Sequence, residues 1–324
     1  MPQLIRQILA VTRNAFTEAT RQPIYVVWLM LIGALIVLAP FVSGYTFDDD
    51  NAMFASTALS MILVGALLLA AFIASVVIRR EIDNGTALTV LTKPIARPLF
   101  ILGKWAGISA ALLLAVWCWA IVFLLMQRHG VMSTARDKFD GPVIVLGGAA
   151  VIIAAIGAGL GNYYFNRSFA ATFAKLFALV GTLALAGVLI LAKGFELQSP
   201  TTDLDPQVLI VLLLVAQAVL LVSAAAVMFG TRLGIVATIV LVLMFVMLGL
   251  TSDYFIGRHA ETSSIIAGIY NFVPNFQVLW MVDPYTEEKF ITTGYFLAAS
   301  AYTAALTVVL LALATALFET RQVS

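Results

Sequence analysis

The chain has 324 residues, of which 62% are hydrophobic and only 11% charged, and its mean hydropathy is +1.04. This composition excludes an ordinary soluble domain and indicates a membrane protein. The net charge of +1 says little by itself, and the one cysteine, Cys118, excludes a disulfide framework or a paired-cysteine metal site.

Eight segments are long and apolar enough to cross about 30 Å of hydrocarbon, which takes about 20 residues each. They are rich in Leu, Val, Ala and Ile without strict alternation, which favours helices over barrel strands. The predicted fold class is therefore all-α, a polytopic transmembrane helical bundle in a single domain over residues 1–324. The predicted spans are Ile24–Val42, Thr57–Ile78, Ala106–Met126, Val143–Gly161, Phe169–Ala192, Val208–Phe229, Leu233–Leu250 and Gly294–Phe318.

Residues 1–23 precede the first span and place apolar residues on one helical face, at Leu4, Ile8, Val11, Ala15 and Ala19. We predict an N-terminal amphipathic interfacial helix in the cytoplasmic headgroup layer, ended by Pro23. A soluble helix packed on something else is the alternative. Three arginines spread along this segment argue against a secretory signal peptide.

The distribution of charge predicts the orientation. With a cytoplasmic N-terminus and alternating spans, the inner segments and Lys175 hold twelve Lys and Arg against four Asp and Glu. The outer segments hold six and thirteen. Because an excess of Lys and Arg marks the cytoplasmic side, we expect a multi-pass protein of the inner (cytoplasmic) membrane with both termini in the cytoplasm.

Three features within the predicted spans have simple interpretations. The fourth span is rich in glycine and alanine, which predicts a buried face where helices approach closely. Lys175 lies less than two turns inside the fifth span, so we expect its ammonium to reach the headgroups. Gln217, in the middle of the sixth span, predicts an interhelical hydrogen bond.

Residues 251–293 form the longest segment between spans and are assigned to the extracytoplasmic side. The stretch is too polar to span the membrane, yet it carries many large apolar residues. We predict an amphipathic helical pair or a re-entrant element, broken near Pro274.

No catalytic, metal or cofactor motif is found. His129 and His259 lie in different predicted loops without metal-ligand spacing, and no nucleophile elbow is present. Gly103-Lys104 is followed by Trp105 instead of Ser or Thr, so there is no P-loop. We therefore expect no enzymatic activity and no cofactor in this chain, and ATP-driven work would require a separate subunit that binds the nucleotide.

The cytoplasmic segment 79–105 holds five of the eighteen basic residues between two long apolar runs. Turn-forming residues frame a short apolar stretch, which suits a helix that docks into a groove of a partner. On charge alone, an ordinary inner loop is the better explanation.

The sequence of this segment resembles a known family. Arg80-Glu81-Ile82-Asp83-Asn84-Gly85-Thr86, Leu91-Thr92-Lys93-Pro94-Ile95, Arg97 and Leu102-Gly103-Lys104 are similar to the pattern between the second and third spans of ABC-2 type transporter permeases. Weaker similarities are Asn166-Arg167-Ser168 and Phe318-Glu319 with Arg321. The family commonly has six spans, so the hairpin 208–250 is additional.

The resemblance implies a permease subunit that couples ATP hydrolysis by a separate ATP-binding-cassette subunit to substrate export or to force transmission across the membrane. The implied partners are that ATPase subunit, a second copy or a related permease, the lipid bilayer and an extracytoplasmic protein, with no nucleic acid. The implied coupling segment would contact the ATPase through Glu81, Asp83, Gly85, Thr86, Lys93, Pro94 and Arg97, and Arg79, Arg80 and Lys104 would anchor it at the membrane.

The alternative is a structural membrane subunit that scaffolds a larger complex without transport. An intramembrane enzyme is disfavoured because the spans lack paired acidic or histidine residues. Few polar residues occupy the spans, so a lipid-like or protein-linked cargo fits better than a hydrophilic ion.

Overall fold

A computed structural model describes residues 2–42, 49–83, 96–132, 138–200, 202, 205–259 and 263–319. Within these ranges the chain is helical and no β-strand forms beyond an isolated bridge between Leu191 and Leu197. The helices are α1 Pro2–Arg21, α2 Pro23–Val42, α3 Asp50–Asp83, α4 Arg97–His129, α5 Gly148–Phe165 (preceded by a π-helical turn, Val143–Gly147), α6 Phe169–Ile190, α7 Pro206–Gly230, α8 Ile235–Phe255, α9 Ser264–Phe272, α10 Val282–Thr286 and α11 Thr293–Glu319.

Eight of these helices are long and apolar enough to cross a membrane, which confirms the predicted all-α class and the predicted number of spans. Six of the eight differ little from the predicted spans. The other two, α3 and α4, have 34 and 33 residues. At 1.5 Å per residue each is about 50 Å long, well beyond the hydrocarbon thickness of about 30 Å. Both helices therefore continue past the apolar stretch that marks them in the sequence.

The centre of the bundle consists of α3, α4 and α7. In their most apolar windows, 78%, 72% and 67% of the residues are buried inside the protein, against 22–39% in the other spans. Helices α2 and α6 pack on α4, whereas α8 and α11 pack on α7. The outer helices expose long apolar side chains, as expected for surfaces that face lipid.

Aromatic side chains join α2 to the central helices α3 and α4 by hydrogen bonds to backbone carbonyls. The Tyr25 hydroxyl donates to the Ala111 carbonyl of α4 (2.6 Å) and the Trp28 indole to the Gly65 carbonyl of α3 (2.8 Å). In the opposite direction, the Trp119 indole of α4 donates to the Leu29 carbonyl (2.9 Å). Such bonds satisfy the polar ends of rings that are otherwise buried among apolar groups.

A polar contact joins α7 to α11. The Gln217 amide donates to the Ser300 hydroxyl at 2.8 Å, which confirms the interhelical hydrogen bond predicted for Gln217. Helix α7 also forms polar contacts with α4 through Ser223. The Ser223 hydroxyl accepts from the Trp105 indole (3.0 Å) and lies 2.8 Å from the Ser109 hydroxyl of α4.

We expect the Gln217–Ser300 bond to contribute little to stability. A double-mutant cycle with Gln217→Leu and Ser300→Ala should give a coupling free energy of about 0.6 kcal/mol, the average for such bonds inside a membrane bundle. Thermal unfolding of the purified variants in one detergent measures it. A coupling several times larger would mean that the pair does more than join two helices.

The small residues of α5 form a narrower packing face than expected. Ala150, Ala154, Ala158 and Gly161 are buried, and a Cβ on Gly157 would lie 2.7 Å from Leu176 of α6. A Cβ on Gly148 or Gly159 would meet nothing within 4 Å. The predicted buried face therefore exists, but it follows the alanines and only part of the glycines.

The connection between α8 and α11 folds back onto the bundle. Helix α9 ends at Phe272, two residues before Pro274, which agrees with the predicted break. Beyond the break, the Phe276 N–H donates to the Gly249 carbonyl of α8, and the Asn275 N–H donates to the Tyr302 hydroxyl of α11. Phe276, Leu279 and Val282 are buried, so much of this segment is covered by protein.

Candidate functional site

The motif residues that the structure describes lie at the end of the bundle where α3 ends and α4 begins, here called the Arg97 end. Arg79, Arg80, Glu81 and Asp83 belong to the last turns of α3, and Arg97 is the first residue of α4. Gly85, Thr86, Lys93 and Pro94 lie outside the described residues, as does the short apolar stretch between them.

Arg97 joins the start of α4 to the end of α11. Its guanidinium donates to the Glu319 carbonyl at 2.9 Å, and a cation suits the negative end of the α11 dipole. One turn further along α4, Phe100 stacks on Phe318 with 5.6 Å between ring centroids. The structure thus brings Arg97 together with the C-terminal helix, whereas its predicted contact with an ATPase stays a prediction.

Helix α1 packs against the first turns of α4 at Gly103 and Gly107. A Cβ on Gly107 would lie 2.4 Å from the Thr12 carbonyl oxygen, and one on Gly103 would lie 2.8 Å from the Val11 side chain. Only glycine allows so close an approach of the two backbones. The spacing is the small-xxx-small pattern of packed membrane helices, which the sequence interpretation overlooked at this position.

Lys104 lies between these two glycines and is 1% exposed. Its ammonium is 3.6 Å from the Glu18 carboxylate of α1 and 5.9 Å from the centre of the Phe100 ring. The acidic residue compensates a cation that would be costly to bury alone. The structure therefore gives Lys104 a partner within the chain, and its predicted anchoring at the membrane stays a prediction.

The position of α1 favours the alternative interpretation of the N-terminal segment. Ala15, Ala19 and Thr20 are fully buried. Helix α1 contacts α4 along much of the length of α1, and its C-terminal part also contacts α6. Leu4, Ile5 and Leu9 remain exposed toward the start of the helix. Its contact with headgroups stays a prediction.

A buried ion pair that sequence reasoning missed lies at the opposite end of the bundle, here called the Asp140 end. The Arg128 Nε is 3.2 Å from Asp140 Oδ2, and the Asp140 side chain is fully buried. Arg128 also donates to the carbonyls of Val188 and Leu191 at the end of α6. Asp140 Oδ1 accepts from the Val143 N–H, so the pair connects α4, α6 and the start of the π-helical turn.

Two tyrosines outside the spans complete the hydrogen bonding at the Asp140 end. Burial raises the pKa of Tyr285, which pairs with the Gln127 amide. Burial and then the hydrogen bond to Asp253 raise the pKa of Tyr270, whose hydroxyl donates to that carboxylate at 2.8 Å. Both hydroxyls thus stay protonated at neutral pH. These contacts join α10 to α4 and α9 to α8.

Across the described ranges, no group of three or more His, Cys, Asp or Glu side chains is arranged to hold a metal ion. The free thiol of Cys118 is buried inside the bundle, near the Ala174 carbonyl.

The chain is a multi-pass α-helical membrane protein, defined by its eight long apolar helices. Comparison with models of known protein families finds no match to this chain, and comparison with curated proteins finds none either.

Proposed function

We propose that this chain is the permease subunit of an ABC-2-like transporter of the inner membrane, with both termini in the cytoplasm. A separate ATP-binding-cassette subunit would dock on segment 79–105, and its ATP hydrolysis would drive substrate export or transmit force across the membrane. A second copy or a related permease would complete the membrane part. The motif from Arg80 to Lys104, which begins in the last turn of α3 and ends in the first turns of α4, is the observation that carries this proposal.

The packing at the Arg97 end supports such coupling. Segment 84–95 connects α3 to α4, and the start of α4 is joined to α11 through Arg97 and to α1 through Gly103 and Gly107. A push on this segment would therefore act on α4 and, through α4, on α1 and α11. At its other end it would act on α3. Packed interfaces of this kind move as rigid bodies and do not deform continuously. In this proposal α1 also contacts the cytoplasmic headgroups through its exposed apolar residues.

Copurification tests the proposal. The tagged chain, extracted in mild detergent from its native host, should carry a subunit with a P-loop and ATPase activity. The double charge reversal Glu81→Lys/Lys93→Glu should reduce the recovered ATPase at least about tenfold, because like charges then face each other in the docked state. Arg97 is left unchanged here, since its bond to the Glu319 carbonyl would confound the result.

The matched control is Glu287→Lys/Lys289→Glu, a reversal of an exposed ion pair in the segment between α8 and α11. It should leave recovery of the ATPase unchanged. If both reversals retain the ATPase, segment 79–105 is not the docking site. If the wild-type chain copurifies with other membrane proteins and no ATPase, the scaffold function replaces the transporter function.

A further inference from the structure

A cavity of about 530 Å³ opens at the Arg97 end, between α1 and the turn that joins α5 to α6. Three cations line it, Arg21, Arg167 and Lys175, and none of its lining residues is acidic. Its volume lies in the range of small-molecule sites, about 300–1,000 Å³. Three positive charges around one cavity repel one another, and an anion bound between them would remove that repulsion.

The neutral groups of the cavity also suit an anion. Ser168 and Thr172 also line it, at the N-terminus of the 22-residue helix α6. The Ser168 side chain makes no capping hydrogen bond, so the first N–H groups of α6 are not capped by it. Free N–H groups and the positive end of a helix dipole favour phosphate-like groups. The cations and this terminus therefore act on the same space.

The depth of the cavity points to a lipid. Only Asn166, Arg167 and Ser168 separate the two spans α5 and α6, so the turn must lie at the membrane surface. Lys175 is six residues into α6, about 9 Å below the turn, and its ammonium sits 5.1 Å from the centre of the Phe16 ring of α1. The headgroup layer is about 5–8 Å thick on each side of the hydrocarbon, so a cavity that runs from the turn to Lys175 lies at the depth of the headgroups.

Aromatic residues beside the cavity agree with this depth. Tyr163 and Tyr164 at the end of α5 are 82% and 68% exposed, and tyrosine is enriched at the level of the headgroups. The Arg167 guanidinium lies 5.5 Å from the centre of the Phe165 ring, which holds its charge close to the turn.

We propose that this cavity binds the phosphate of an anionic phospholipid headgroup. Arg21 and Arg167 approach the phosphate oxygens from α1 and from the α5–α6 turn, and Lys175 approaches from below. The arginines offer paired N–H donors that match phosphate geometry. A bound headgroup joins α1 to α6 through charges that otherwise repel. The site does not depend on an ATPase partner.

Native mass spectrometry of the purified full-length protein in a neutral detergent tests the site. Phosphatidylglycerol and phosphatidylcholine with the same acyl chains are titrated separately. Wild type should retain phosphatidylglycerol at least about tenfold more strongly, given the attraction of each basic residue for anionic lipid. The variant Arg21→Gln/Arg167→Gln/Lys175→Gln should bind both lipids equally. The single variant Arg167→Gln, with a loss of about threefold or more, replaces the triple variant if the latter does not fold.

The control Arg6→Gln/Arg13→Gln/Lys138→Gln removes three exposed cations outside the cavity. It should keep the wild-type preference, and equal losses in both triple variants would indicate diffuse attraction and overturn the site. Selectivity that survives the cavity variant overturns it too. Inorganic phosphate is the second arm. If it raises the melting temperature of wild type alone while phosphatidylglycerol shows no preference, the site binds free phosphate and the lipid assignment is wrong.

Discussion

Asp140→Ala will lower the free energy of unfolding by about 3–5 kcal/mol, the cost of leaving a buried charge without its partner. Asp140 is fully buried and pairs with Arg128, whose side chain is 5% exposed. The substitution also removes the acceptor for the Val143 N–H at the start of the π-helical turn. Thermal or denaturant unfolding of the purified protein in detergent measures the change.

Two further variants separate the contributions at this site. Asp140→Asn keeps an oxygen for the Val143 N–H and removes only the charge, so most of the loss should remain. Arg128→Met/Asp140→Ala removes both charges and should be less destabilising than the sum of the single changes, because no unpaired ion is left. Strict additivity would contradict the ion pair.

An exposed ion pair provides the matched control. Glu287→Ala breaks the contact with Lys289 in the segment between α8 and α11, where both side chains are more than half exposed. We expect a change of about 1 kcal/mol or less, since water screens such pairs. A loss as large as that of Asp140→Ala would point to a general sensitivity of the protein to lost acidic residues.

Gly107→Val will displace α1 from the bundle. The added Cβ would lie 2.4 Å from the Thr12 carbonyl oxygen and 2.8 Å from the Phe16 backbone nitrogen. Backbone atoms cannot turn aside as a flexible side chain can, so the whole helix must shift. Overpacking of this kind costs about 1–3 kcal/mol. Trypsin should then cleave after Arg13 about 5- to 150-fold faster, because cleavage requires local opening of α1.

Gly159→Val is the control for this experiment. It makes the same chemical change inside a membrane helix, at a position where a Cβ meets nothing within 4 Å. Cleavage after Arg13 should stay at the wild-type rate. Wild-type cleavage in Gly107→Val would mean that α1 does not depend on close contact with α4.

The sequence predicted the number of helices well and their ends less well. Composition marks the part of a helix that suits lipid, and α3 begins at Asp50, seven residues before the predicted Thr57. Its first turns lie against protein, where Phe54 is fully buried and stacks on Phe123. Because protein contacts can stabilise a helix beyond its apolar stretch, hydropathy alone cannot find such an end.

The function of segment 79–105 as a docking site stays a prediction, and the packing around it could not be predicted from the sequence. The basic residues and the motif mark the charged segment, whereas Arg128 and Asp140 lie between the third and fourth predicted spans, where the sequence predicts no structure. Nothing in the sequence distinguishes a charge that is buried and paired from one that is solvated. Gly103 and Gly107 did offer a signal, because this spacing of small residues in an apolar helix indicates close packing against another helix. The structure shows that this helix is α1.

The place of α4 also has a consequence for assembly during synthesis. Its first turns contact α1, which is made before it, and α11, which is made some 200 residues later. Until α11 has been inserted, Phe100 lacks the Phe318 ring and Arg97 lacks the Glu319 carbonyl. The earlier helices can associate as they emerge, but the contacts around the start of α4 are complete only once α11 has been made. The Arg97 end of the bundle would therefore not be fully packed before all eight described spans are in the membrane.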